Sequence, residues 1–91
     1  MGALSNRQNQ TLAETGAFKL VRRKKKDRLW YEVQFNSWDH PYEPNPDNLY
    51  EQVRNFFDPL RNKSGRWATN WKYSNRKDAE QMYATALLKF S

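Results

Sequence analysis

Lys19, Arg22, Arg23, Lys24, Lys25, Lys26 and Arg28 fall within the ten residues KLVRRKKKDR. Cations at this density suit phosphate. Each Lys or Arg set against a phosphate releases a condensed counterion, which supplies affinity that depends on salt but carries no base information. Trp30 follows two residues later. An indole offers a face on which an unpaired base can stack. Gln34 and Asn70 carry amides able to meet base edges, and Lys72 adds a further cation. The sequence therefore predicts a nucleic-acid-binding set of Lys19, Arg22, Arg23, Lys24, Lys25, Lys26, Arg28, Trp30, Gln34, Asn70 and Lys72. Single strands are the favoured ligand, because only an unstacked base can meet the indole. The RRKKK run also passes as a nuclear address by composition.

A second group lies in WDHPYEP, residues 38–44. Asp39, His40 and Glu43 are the one cluster resembling acid–base or metal chemistry. One His and two carboxylates at this spacing do not make a zinc site, and no nucleophile is placed beside them. Trp38, His40 and Tyr42 read better as anchors for a protein partner, since aromatic side chains dominate binding hot spots.

Enzyme chemistry finds little else to use. Cysteine is absent, which removes disulfides, thiolate metal sites and a Cys nucleophile. The three glycines, Gly2, Gly16 and Gly65, are scattered and form no phosphate-cradling loop. The expectation is a protein that is not an enzyme, with no cofactor, no metal and no small-molecule substrate. A formal net charge of +6 and a pI near 9.8 favour polyanionic partners: nucleic acid or an acidic protein surface. No apolar run can span a bilayer, no signal-peptide core is present, and MGALSN lacks the hydroxyl residue of a myristoylation site. A cytoplasmic protein with no membrane partner is expected, and the lack of cysteine fits a reducing compartment.

These residues need elements to position them. Leu29, Tyr31, Val33 and Phe35 alternate with Trp30, Glu32, Gln34 and Asn36. Period two predicts a strand over 29–36 with one apolar and one polar face. A strand over 17–23 precedes it, with KKKD as the exposed turn, so Phe18 and Leu20 extend the apolar face and Lys19, Val21 and Arg23 the polar one. Three prolines make 37–48 a loop. Asn45 as N-cap and Pro46 at the first position predict a helix with Leu49, Val53 and Phe56 on its stripe, flanked by Tyr50 and Phe57, ending at Asp58–Pro59 before the RNKSG loop. Residues 67–73 read as a third strand, with Trp67, Thr69, Trp71 and Tyr73 facing the core and Ala68, Asn70 and Lys72 opposite. Ser74 or Asn75 caps a last helix whose stripe is Ala79, Met82, Tyr83, Ala86, Leu87 and Phe90.

The expected fold is α+β in the order β-β-α-β-α: a three-stranded sheet with both helices on one face and the other face open. Residues 1–16 read as a flexible tail and 17–91 as a single domain. Four Trp, five Tyr and five Phe supply large apolar side chains for a small core. No family motif is matched. In size, lack of cysteine, N-terminal tail and the WKYSNRKDAEQMYATALLKF ending, the chain resembles small accessory proteins of bacteriophages, a likeness over about the last twenty-five residues. That resemblance implies binding and inhibiting a host protein. Two functions follow: a basic nucleic-acid-binding module using the hairpin and the open sheet face, or a protein-interaction or inhibitor module using Trp38, His40 and Tyr42.

Overall fold

A computed structural model describes residues 9–56 and 66–90, apart from the side chains of Asn70 and Trp71. It is α+β. Strands β1 (Asn9–Thr15), β2 (Phe18–Lys25) and β3 (Arg28–Asn36) are followed by helix α1 (Leu49–Phe56), strand β4 (Trp67–Tyr73) and helix α2 (Arg76–Phe90). Among the described residues the sheet is antiparallel and four-stranded, in the order β1-β2-β3-β4.

The extra strand corrects the three-stranded expectation. Residues 9–15 form β1 on the β2 edge, where the sequence reading had a flexible tail; residues 1–8 of that tail lie outside the described part. Gly16 takes a φ of 60° in the two-residue turn between Thr15 and Phe18. A Cβ resists that left-handed backbone, so glycine suits the position. The strand escapes notice in the sequence because most of its side chains face water, leaving only Leu12 and Ala13 against the core.

Both helices pack on one face. Val53 of α1 and Ala79, Tyr83 and Ala86 of α2 join Phe18, Leu20, Val33, Phe35 and Ala68 in one buried cluster. The Phe18 and Phe35 rings meet at 5.4 Å between centroids. The first helix starts three residues later than its expected first position. Asn45 Oδ1 accepts from the Asp47 amide in a turn, and Asn48 is the cap, its Oδ1 accepting from the Glu51 amide at 2.8 Å. Asn75 caps α2 through the Asp78 amide at 2.8 Å. Phe57, the expected helix end at Asp58–Pro59 and the RNKSG loop lie outside the described residues.

The face assignment of β4 also changes. Tyr73 pairs with Tyr31 and Trp71 with Val33, but Thr69 pairs with Gln34, so one residue, Asn70, is left over as a bulge. A bulge shifts the period-two phase by one. Beyond it, Ala68 enters the core opposite Phe35, while Trp67 and Thr69 turn to the other face. The expected core positions of Trp67 and Thr69 are therefore reversed, whereas Tyr73 packs on the core as expected.

The second sheet face is not open at its centre. Val21, Glu32, Gln34, Asn36 and Thr69 are all buried there. The expectation of an exposed polar face holds only toward the hairpin end.

Candidate nucleic-acid interface

Among the described residues the β2–β3 hairpin outruns the rest of the sheet. Pairing of β3 with β4 stops at Tyr31–Tyr73, whereas β2 and β3 continue through Arg23–Trp30, Lys24–Leu29 and Lys25–Arg28. The projecting arm and the bend at Tyr73–Ser74, where the chain turns into α2, enclose a concavity of about 480 Å³. Its walls carry the cations Arg23, Lys25, Arg28 and Lys72, the rings of Trp30 and Tyr73, and Leu29 and Ser74. None of these lining residues is acidic. Lys25, Arg28 and Lys72 make no ion pair among the described residues.

Alternation along the hairpin sorts the basic run. Arg23, Lys25 and Arg28 stand on the same face as Trp30, and Arg22 and Lys24 on the other. Lys26 sits in the turn with a φ of 56°, unusual for a residue with a Cβ. Lys24, Lys25, Lys26 and Arg28 are exposed, and Arg22 is half-buried.

Beneath the cleft lies Glu32, only 2% exposed. Its Oε2 accepts from the Trp30 indole N–H at 2.7 Å. Its Oε1 accepts from Gln34 at 2.9 Å, Thr69 at 2.9 Å and Arg23 at 3.3 Å. Burial by itself would push this carboxyl up; the bonds from Trp30, Gln34 and Thr69, with the charge of Arg23, outweigh burial and hold it below its ordinary value. The Arg23 and Arg28 guanidinium carbons lie 5.7 and 5.6 Å from the centre of the Trp30 ring, within cation–π range. Burial and the nearby Asp78 carboxylate raise the Tyr73 phenol, which keeps it neutral and able to donate a hydrogen bond.

The structure brings together only part of the expected set. Arg23, Lys25, Arg28, Trp30 and Lys72 converge on the cleft. Lys19 shares their face at a distance, over the Trp67 ring, where burial lowers its pKa and Glu14 partly restores it. Gln34 is 7% exposed and gives its amide to Glu32, which leaves it unable to read a base. The Asn70 side chain lies outside the described residues. Sequence reasoning missed Leu29 and Tyr73 as cleft walls and Glu32 as the partner of Trp30 and Arg23. The available signal was a Glu between Trp30 and Gln34 on one strand face, at a spacing that lets all three touch.

The three residues expected to anchor a protein partner differ in exposure. Trp38 is 59% exposed with Arg66 over its ring at 5.3 Å, Tyr42 is 47% exposed beneath Arg54, and His40 is half-buried with its ring against Phe35. Asp39 is bonded to Asn36 and Arg66, which ties the loop to the start of β4. Among the described residues there is no cluster of His, Cys, Asp and Glu able to hold a metal, and no helix is long and apolar enough to cross a membrane. Comparison with protein-family models, with curated proteins and with solved structures finds no match.

Proposed function

We propose that the protein is a small, basic, non-enzymatic module that binds nucleic acid, single strands above all, at the cleft between the hairpin arm and the start of α2. The observation that carries this reading is the composition of the cleft: four cations and two aromatic rings around about 480 Å³, with no carboxylate among the described residues of its walls. Arg23 is paired with Glu32, but Lys25, Arg28 and Lys72 make no ion pair among the described residues, and cations so placed favour phosphate. Aromatic rings among them favour bases that are free of a duplex. A concavity of about 480 Å³ suits a strand end or an unpaired segment as the unit that enters.

The test is a titration of labelled oligonucleotides at several salt concentrations. The expected result is binding at low salt, a linear fall of log K with log salt, and tighter binding of a single strand than of a duplex of equal length. No binding of either at the lowest salt would overturn the reading.

A second reading rests on the exposure of Trp38 and Tyr42. It makes the protein an interaction or inhibitor module, in line with the bacteriophage resemblance and an action on a host protein. Capture from a bacterial lysate, with and without nuclease, separates the two. Nuclease-sensitive capture favours the first. A stoichiometric protein band that is lost in Trp38→Ala and Tyr42→Ala favours the second.

A further inference from the structure

We infer that Glu32 is the positioning residue of the cleft: its buried carboxylate holds Trp30 and Arg23 in the orientation in which they meet a bound strand. The inference rests on the nucleic-acid reading of that cleft.

Four donors converge on this one side chain, and they divide by place. Gln34 and Thr69 lie outside the cleft, on β3 and β4, and fix the carboxylate from the buried side. Trp30 and Arg23 belong to the cleft wall. The indole N–H is directed inward to Oε2 at 2.7 Å, which sets how the ring stands. Arg23 is held between the carboxylate and that ring, and Arg28 rests against the same ring. A single carboxylate thus orders two cleft residues directly and a third through the indole. A neutral amide cannot replace it. Indole and guanidinium only donate, so the NH₂ of a glutamine would face at least one donor.

The sign of the effect separates positioning from bulk charge. Glu32 is an anion beneath a cationic cleft. If charge were its whole contribution, removing it would tighten the binding of a polyanion. A positioning role requires the opposite.

The experiment measures binding of a labelled single-stranded oligothymidylate to the full chain at low salt by fluorescence anisotropy. Indole N–H exchange of Trp30 is followed by NMR on the same samples. Glu32→Gln is expected to bind about tenfold more weakly, the scale of one charge-assisted hydrogen bond, with faster exchange at Trp30. Val33→Ala, which opens a gap in the helix-side core away from the cleft, is expected to lower stability and leave affinity unchanged. If Glu32→Gln does not fold, Thr69→Val serves instead. It is close in shape, lies outside the cleft, and removes one bond holding the carboxylate, with about threefold weaker binding expected. Equal or tighter binding by a folded Glu32→Gln, or unchanged affinity in Thr69→Val where that variant is needed, would overturn the positioning role while the nucleic-acid reading stands. No binding by the unmodified chain would overturn both, and that result is read before any variant is made.

Discussion

Lys19 places its ammonium 4.4 Å from the centre of the Trp67 ring, on the sheet face opposite Phe18 and Leu20. Unbroken alternation along β4 would have put this indole in the core. The bulge at Asn70 reverses it and gives the core position to Ala68, which is fully buried opposite Phe35.

Ala68→Leu tests that reversal. Enlarging a residue in a filled core should destabilise the protein by about 1–3 kcal/mol. Without the bulge, Ala68 would lie on the polar face and the change would be nearly silent. Urea unfolding distinguishes the two, and an unchanged midpoint would show that β4 keeps its phase.

Removing residues 1–15 should destabilise the fold. The deletion takes away β1, uncovers the outer edge of β2 and strips Leu12 and Ala13 from the core margin. Loss of that burial should cost about 2 kcal/mol. Thermal melting of the truncated chain provides the measurement. Melting identical to the full chain would mean that the strand adds nothing to stability.

Acid should weaken the protein through Glu32. Its folded pKa lies below the ordinary 4.5, so the folded state binds the proton less readily than the unfolded chain. The stabilisation is complete above the unfolded value and disappears as pH falls through the folded one. Urea midpoints taken from neutral pH into acid should fall more steeply for the unmodified chain than for Glu32→Gln, with the two curves approaching each other at the acid end. Parallel curves would mean that the carboxylate is not stabilised by its partners.

Neutralising Lys25, Arg28 and Lys72 together should lower the salt slope of single-strand binding by about two units, at about 0.7 per lost phosphate contact. Neutralising Arg22 and Lys24, on the opposite face, should change it less. Equal effects from the two sets would point to diffuse attraction by the +6 charge rather than to the cleft.

Much of the fold was legible along the chain. The alternation from Leu29 to Phe35 marked β3, and the stripe from Ala79 to Phe90 with its Asn75 cap marked α2, because period and capping are local properties. Alternation placed Arg23 and Trp30 on one face, but Lys25 and Arg28 join them only because the strands run on to Lys25 and from Arg28, where the sequence reading had KKKD as the turn. Three features did not follow. The strand at Asn9–Thr15 buries too little to leave a pattern and is held by its pairing with β2. The bulge at Asn70 changes phase with no residue type that announces it, since it is settled by which register best fills the core between Val33 and Phe35. Glu32 reads along the chain as one more solvated charge. It is buried because β2, β3 and β4 bring Arg23, Trp30, Gln34 and Thr69 around it, and a carboxylate can leave water only where such donors replace the bonds it loses. Trp30 and Gln34 lie two residues from Glu32 on its own strand, but Arg23 and Thr69 come from β2 and β4, 9 and 37 residues from it in the chain, so their arrival depends on strand register and tertiary packing rather than on a local pattern.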